Sequence, residues 1–202
     1  MKSQLVCAGC ETAVPADEFL SFTCPKRGED DVDHVLRLQL NEAELAKAWP
    51  QEALAATDNA FVRYRQLSHT YQLAMRCGLS DDAYLAIVGK LTEAIETIDK
   101  RALQVTPLVH SSALNLYAKN ETVNISGSHK ARHLIGTALH LAVAEALGKG
   151  PENEPSLAIS SCGNAALAAA VVARAAGRKL LVFVPPWAED SVTTRLSELG
   201  AE

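Results

Sequence analysis

The chain has 202 residues, 48% of them hydrophobic, and a formal net charge of −5 at pH 7. This length suits one or two domains with a real core. The negative charge without a long basic run argues against nucleic-acid binding, and no apolar stretch approaches the roughly 20 residues of a membrane span. The absence of an apolar leader and five cysteines without framework spacing predict a protein of the reduced cytoplasm.

The first two segments differ in character. Residues 1–40 contain three cysteines among turn-forming residues and are predicted to be a ribbon-like segment. Residues 41–104 are predicted to be helical. Asn41 with Glu44 three residues later fits a capping box, and Ser80 precedes apolar residues that recur at three- and four-residue steps.

Strands and helices alternate in the third segment, residues 105–202. Short apolar runs at 107–112, 113–121, 156–161 and 178–185 predict strands, and the intervening patterns predict helices at 128–150, 162–177 and 189–202. This alternation predicts an α/β fold, a three-layer open parallel sheet with helices on both faces, preceded by the cysteine segment and the helical region.

Lys130 stands at the start of the predicted helix 128–150, where the helix dipole disfavours a cation. Desolvation there favours an uncharged amine, which is a nucleophile, and pyridoxal phosphate is the commonest carbonyl partner of such lysines. Ser126, Gly127 and Ser128 leave the backbone N–H groups open to an anion. A surface lysine whose stem reaches into water is the alternative.

A second turn follows the strand predicted at 156–161. Ligands of open α/β sheets lie at the carboxyl ends of strands, so this turn is a candidate binding loop. Its neutral donors are the hydroxyls of Ser160 and Ser161, the backbone of Gly163 and the amide of Asn164. They suit an amino-acid carboxylate or a ring hydroxyl. A plain strand-to-helix cap by Ser or Asn is the alternative.

Three stretches, at 105–109 (VTPLV), 117–132 (YAKNETVNISGSHKAR) and 158–185, occur in an order and at separations that resemble one family. They look like the fold-type II pyridoxal-phosphate enzymes, the superfamily of tryptophan synthase β chain, threonine synthase, cysteine synthase and serine/threonine dehydratase. The threonine synthase-like members are the most similar. Residues 105–202 would then be the N-terminal part of a catalytic domain.

The resemblance implies roles for individual residues. Lys130 would form the internal aldimine and move the substrate α-proton as a general base. Ser161, Gly163 and Asn164 would belong to the loop that holds the substrate carboxylate, with Ser160 also binding substrate and Asn164 also near the cofactor 3′-oxygen. His129 would lie near the cofactor phosphate, and Thr106 would border the substrate pocket. A histidine packed at the helix end is the alternative for His129. The reaction implied is elimination or replacement on a small amino acid.

The cysteine segment is similar to the zinc-ribbon start of threonine synthase-like members, which has two Cys-x-x-Cys pairs. Cys7, Cys10 and Cys24 match three of the four positions, but Arg27 occupies the fourth. Structural zinc takes four ligands, so Asp30, Asp33 or His34 would have to complete the site, or the ribbon is degenerate. A thioredoxin-like redox pair is disfavoured because no βαβ pattern surrounds the cysteines.

Family members continue with a glycine-rich phosphate loop, which this sequence does not contain. The sequence therefore predicts the front half of an enzyme, acting as a homodimer or with a complementing C-terminal chain. Two other functions stay open. One is a non-catalytic fragment that serves as an interaction subunit. The other is a nucleotide-binding α/β protein, disfavoured because no G-x-G-x-x-G or P-loop pattern follows a strand.

Overall fold

The structure is a computed structural model that describes residues 3–29, 33–48, 57–101 and 103–202. Its elements follow the chain in three groups, and each group has its own small sheet or helix set. Within the described residues, no helix combines the length and the apolar character needed to cross a membrane.

The first group is a two-stranded antiparallel ribbon. Strand β1 (Ser3–Cys7) pairs with β2 (Leu36–Leu40), and the register places Cys7 opposite Leu36. Helix α1 (Glu42–Ala48) follows, and the Glu44 N–H donates to Asn41 Oδ1 at 3.1 Å. The cap predicted at Asn41 is therefore confirmed, while residues 49–54 of the predicted helix lie outside the described residues.

The second group is helical, as predicted. It comprises α2 (Ala60–Arg63), α3 (His69–Arg76) and α4 (Asp81–Asp99). Ser80 caps α4, because its Oγ accepts a hydrogen bond from the Ala83 N–H at 3.2 Å. The buried positions of α4 are Tyr84, Val88, Leu91 and Ile95, the apolar stripe that the sequence predicts.

Strands β3 (Leu108–Ser111) and β4 (Leu116–Lys119) lie where strands are predicted, but they pair antiparallel with each other as a separate hairpin. They are not strands of the parallel sheet. The short turn between them includes Asn115 in the left-handed region, at φ 46°. A turn this short returns the chain beside itself, whereas a parallel pair needs a long crossover.

The parallel sheet is formed by β5 (Leu157–Ser160) and β6 (Leu180–Phe183), joined through helix α6 (Asn164–Ala175). This βαβ unit confirms the α/β class with parallel strands. Helix α5 (Ala131–Ala146) packs on α6, and α7 (Asp190–Glu198) ends the order. Helix α6 covers one face of the sheet, while Leu181 and Phe183 on the other face are exposed.

A single hydrophobic core joins the helical group to the βαβ unit. It runs from Tyr84 and Ile95 of α4 through Ile135 of α5 to the alanines and valines of α6. Small alanine side chains let these helices approach closely. The three-segment division at 40 and 104 stays a prediction, because the second and third segments share this core.

Candidate functional site

The turn before Lys130 has an unusual backbone. Residues Ile125–Gly127 form a 3-10 turn in which Ser126 (φ 51°) and Gly127 (φ 75°) are both left-handed. The Lys130 N–H donates to Ser128 Oγ at 3.3 Å, and helix α5 begins at Ala131. Lys130 thus occupies the N-cap position, two residues beyond the predicted cap at Ser128. Its side chain is half-buried, and no side chain caps the helix in its place.

The end of helix α4 holds this turn in position. Asp99 Oδ2 accepts a hydrogen bond from the Ser126 N–H at 2.9 Å and pairs with the Arg101 guanidinium at 3.1 Å. The Asp99 side chain is only 7% exposed. Because non-glycine residues rarely adopt the left-handed region, an acceptor fixed on the Ser126 N–H stabilises a conformation that the chain would otherwise avoid.

A carboxylate network joins the segments on both sides of Lys130. Arg132 donates to both oxygens of Glu121 at 2.9 Å, and Thr106 Oγ1 and Asn124 Nδ2 donate to the same carboxylate at 2.5 and 2.9 Å. The bidentate Arg132 contact, with the Thr106 and Asn124 hydrogen bonds, lowers the pKa of Glu121 to about 2. Lys119 also donates to the Thr106 carbonyl. The carboxylate therefore stays ionised and ties three loop segments together.

The carboxylate network already uses the hydroxyl of one residue that is predicted to border the substrate pocket. Thr106 is 2% exposed, and its hydroxyl is already hydrogen-bonded to Glu121 and Arg132. Arg132 lies two residues after Lys130, so its hydrogen bond connects Thr106 to the Lys130 segment. The role of Thr106 at a substrate pocket stays a prediction. Sequence reasoning missed Glu121 and Arg132 as site residues, because opposite charges 11 residues apart carry no local signal.

The second turn leaves a helix N-terminus open. Helix α6 begins at Asn164 with Gly163 at its cap, and no side chain makes a capping hydrogen bond there. The strand-to-helix cap by Ser or Asn is thus not formed. Ser161 donates its N–H to the Phe183 carbonyl at 3.2 Å, which places this residue at the end of the sheet. Ser160 and Asn164 are exposed. The first N–H groups of α6 remain available to an anion.

The two turns belong to one packing unit. Helix α6, which starts at the second turn, packs against the 3-10 turn Ile125–Gly127 and against helix α5. His129 is exposed beside Lys130. In the described residues, Ser126 Oγ is buried without a hydrogen-bond partner. A lysine, an orphaned hydroxyl and two uncapped helix N-termini therefore occur on three elements, the 3-10 turn, α5 and α6, and α6 contacts the other two.

The cysteine segment brings four metal-type ligands together. The Sγ atoms of Cys7, Cys10 and Cys24 and a ring nitrogen of His34 lie within 4.8 Å of one another. The Thr12 hydroxyl lowers the pKa of Cys10 to about 6, and burial raises the pKa of Cys24. Of the other candidate fourth ligands, Asp33 is not a member of this cluster, and Asp30 lies outside the described residues.

A comparison with known protein families decides the identity of the third segment. Residues 100–202 match the sequence model of a family described as "Pyridoxal-phosphate dependent enzyme". The chain belongs to this family. No curated protein sequence matches it. The fold-type II resemblance and the cofactor pyridoxal phosphate are thereby confirmed.

Three solved structures of other enzymes are similar to part of this chain. An aspartate racemase is 28% identical and aligns over 57% of this chain and 36% of its own, with a TM-score of 0.41. Threonine deaminase isoform 2 from Solanum lycopersicum is 15% identical over 60% and 32%, and O-ureido-L-serine synthase is 25% identical over 54% and 33%, both with a TM-score of 0.39. The chain spans about a third of the length of these proteins.

The residues present fit pyridoxal phosphate. The cofactor carries an aldehyde, which needs an amine, and a phosphate, which needs N–H and hydroxyl donors. Lys130 would supply the amine, and the orphaned Ser126 hydroxyl and the uncapped end of α6 would be donors of the second type. The assignment of individual residues to cofactor and substrate contacts stays a prediction.

Proposed function

We propose that this chain is the N-terminal part of a pyridoxal-phosphate-dependent enzyme that catalyses elimination or replacement on a small amino acid. The proposal goes beyond family membership in naming the reaction class and Lys130 as the residue that holds the cofactor covalently. The observation that carries it is the packing of the left-handed turn before Lys130 against helix α6, whose N-terminus has no side-chain cap.

The hydrogen bonds around Lys130 support its proposed role. The Lys130 backbone N–H is hydrogen-bonded to Ser128 Oγ at 3.3 Å, which holds this residue at the start of α5. Asp99 and Glu121 fix the backbone on either side of it through Ser126 and Arg132. A covalent anchor needs this rigidity, because its amine must also reach the substrate Cα to move a proton there.

The second turn supports an amino-acid substrate. Ser161, Gly163 and Asn164 present neutral donors and backbone N–H groups at the start of α6, and the positive end of the helix dipole faces the same way. These groups suit a carboxylate without placing a fixed cation beside the substrate amine. His129, exposed next to Lys130, is the residue proposed to contact the cofactor phosphate.

When bound, pyridoxal phosphate acts as an electron sink for the carbanion at the substrate α-carbon. The chain's own contribution is to move the proton at that carbon through Lys130 Nζ and to hold the carboxylate at the second turn. The similarity of residues 1–40 to a zinc-ribbon start supports a threonine synthase-like or dehydratase-like enzyme within this class.

The decisive experiment is borohydride reduction of the full chain after incubation with pyridoxal phosphate, followed by peptide mass spectrometry. We expect one pyridoxyl group, located on Lys130, and a visible absorbance band before reduction. Lys130→Ala should lose both, while Lys90→Ala, an exposed lysine of helix α4, should keep both. Circular dichroism of the two variants checks that they are equally folded.

Two outcomes would overturn the proposal. Label spread over several surface lysines would mean that Lys130 holds no special position. A folded chain that takes up no cofactor would instead favour the non-catalytic interaction subunit, and a pull-down would then be expected to find a defined partner. The reaction class is checked separately, by following 2-oxo acid release and α-hydrogen exchange from small amino acids.

We also propose that the chain functions as a homodimer or with a complementing C-terminal chain, in the cytoplasm. Exposed apolar side chains support association: Phe183 on the open sheet face is 63% exposed and Trp187 is 81% exposed. Contiguous exposed apolar patches mark interaction sites. Five cysteines without a disulfide support a reducing compartment.

A further inference from the structure

We propose that Cys7, Cys10, Cys24 and His34 bind one structural Zn²⁺ as a Cys3His site, in which His34 replaces the cysteine expected at position 27. This site is separate from the Lys130 region and does not depend on the proposed reaction. It assigns a function to a cluster that the pyridoxal-phosphate chemistry does not use.

The spacing of the ligand atoms fits a tetrahedral ion. With bonds of about 2.3 Å to sulfur and about 2.0 Å to nitrogen, tetrahedral zinc holds its S···S pairs about 3.8 Å and its S···N pairs about 3.5 Å apart. Cys10 Sγ lies 3.6 Å from Cys24 Sγ, and His34 Nδ1 lies 3.3 Å from Cys24 Sγ and 3.6 Å from Cys7 Sγ. A disulfide would need its sulfurs at about 2.05 Å, so the thiols are arranged for an ion.

The turns that carry the thiols are built to present sulfur inward. After Cys24, the Lys26 N–H donates to Cys24 Sγ at 3.4 Å and the Arg27 N–H donates to the Cys24 carbonyl at 3.0 Å. In the first turn, the Glu11 N–H donates to the Cys7 carbonyl at 3.0 Å. Backbone N–H groups aimed at a sulfur stabilise a metal-bound thiolate, as outer-shell partners of metal ligands do.

A glycine between the first two cysteines permits the approach of His34. A Cβ added to Gly9 would lie 2.5 Å from the Asp33 carbonyl oxygen, which is closer than real Cβ contacts. The neighbouring Ala8 N–H donates to the Val35 carbonyl at 2.8 Å, so the backbones on both sides of His34 are pressed against the Cys7–Cys10 turn. The pairing of β1 with β2 then brings His34 to the cluster, where it takes the ligand position of the cysteine expected at residue 27.

The ion would stabilise a segment with little core of its own. The ribbon buries only a few apolar side chains, among them Val6, Val14 and Phe19, and segments this small usually need a metal or a disulfide to fold. The ribbon in turn contacts the rest of the chain: His140 on α5 hydrogen-bonds the Phe19 carbonyl at 2.5 Å. Zinc binding therefore helps to hold helix α5, which begins next to Lys130, in its position.

The test is the zinc content of the full chain, purified in reducing buffer and measured by inductively coupled plasma mass spectrometry. We expect one zinc per chain. His34→Ala should lose it or bind it at least tenfold more weakly, and His34→Cys should restore it. Cobalt substitution should show a tetrahedral spectrum with thiolate charge-transfer bands that strengthen in His34→Cys, because a fourth thiolate is added.

Control variants separate a ligand from a bystander. His110→Ala removes an exposed hairpin histidine, Cys77→Ser removes a cysteine outside the cluster, and Asp33→Asn neutralises the neighbouring acid; all three should keep one zinc. Gly9→Ala touches no ligand but should weaken zinc binding roughly 10–100-fold, the range of outer-shell changes. A chain without metal, a Cys10–Cys24 disulfide, or unchanged zinc affinity in His34→Ala would each overturn the proposal.

Discussion

At the scale of single residues, Glu121 organises the surroundings of Lys130. Its carboxylate accepts hydrogen bonds from Arg132, Thr106 and Asn124. Those partners lie up to 15 residues away in sequence, and which acid pairs with which base is settled only when the loops fold. Glu121 and Arg132 both lie in the stretch 117–132 that resembles the family. Periodicity and spacing nevertheless do not predict a role for either residue.

We predict that Glu121→Gln lowers the free energy of unfolding by about 1–3 kcal/mol, because a largely buried charged hydrogen-bond acceptor is replaced by an amide that also turns a donor toward Arg132. The ordinary pKa of this carboxyl is 4.5, and it falls to about 2 in the fold. The stability it contributes is therefore present above about pH 4.5 and lost as the pH falls toward 2.

Urea unfolding at neutral pH and across this acid range measures both effects. The variant should be less stable at neutral pH and should lose less stability on acidification than the parent chain. Glu93→Gln, an exposed acid of helix α4, is the matched control and should change stability by less than about 0.5 kcal/mol. Equal losses in the two variants would mean that the network is not stabilising.

At the scale of elements, local patterns predict helices and strands well, and pairing poorly. The stripe of α4, the Ser80 cap and the two strands of the βαβ unit all follow from residues close in sequence. The hairpin β3–β4 does not, because its apolar residues are exposed on both faces and Tyr117 is 70% exposed. Without a buried face, alternation cannot reveal a strand's partner, and the turn at Asn115 decides it.

The fourth ligand of the proposed zinc site shows the same limit. Spacing within residues 1–40 leaves Asp30, Asp33 and His34 as equal candidates. The register of β1 against β2 places Cys7 opposite Leu36 and so brings the residues just before β2 close to the cysteines. Of the candidates, His34 is the one whose ligand atom lies within 4.8 Å of the three sulfurs in the described residues. A register is a property of two strands together, which no reading of one segment supplies.

Helix α4 is coupled to the Lys130 turn by its last residue. An acid at a helix C-terminus is disfavoured by the dipole, so the position of Asp99 is explained by its bond to the Ser126 N–H rather than by the helix. We predict that Asp99→Ala lowers stability by about 1–3 kcal/mol and raises hydrogen exchange in the peptide that contains Ser126.

Asp99→Asn keeps an acceptor at the same place and serves as the control. It should restore most of the protection of the Ser126 amide while losing the ion pair with Arg101. Hydrogen exchange followed by mass spectrometry resolves the two variants. Unchanged hydrogen exchange in Asp99→Ala would show that the left-handed turn is stable without the hydrogen bond from Ser126 to Asp99.

At the scale of the whole molecule, the ribbon is attached to the helices through polar contacts of Arg76, His140 and His69. Arg76 on α3 donates to the carbonyls of Ser3 and Ala16 at 3.0 and 2.9 Å, and His140 hydrogen-bonds Thr70 as well as Phe19. These contacts join residues 60 to 121 positions apart. The sequence predicts the ribbon and the helices separately, but not that they dock on each other.

His69 makes this attachment sensitive to acid. Its Nδ1 lies 3.1 Å from Ser3 Oγ, and burial, followed by the charges of Arg76 and His140, lowers the pKa of His69 from 6.5 to about 4. Between these values the unfolded chain binds a proton that the folded chain does not. The free energy of unfolding therefore falls as the pH drops from about 6.5 toward 4.

Replacing His69 by Gln tests this argument, because Gln stays neutral and still offers a partner to Ser3. Urea unfolding of the parent chain and of His69→Gln at about pH 7 and about pH 5 should show a smaller loss of stability on acidification in the variant. Both proteins are measured at the same two pH values, so the contributions of the groups that they share cancel and the difference between them reports His69. His110→Gln, an exposed histidine on the hairpin, should behave like the parent chain; if His69→Gln does so too, the proton taken up on unfolding belongs elsewhere.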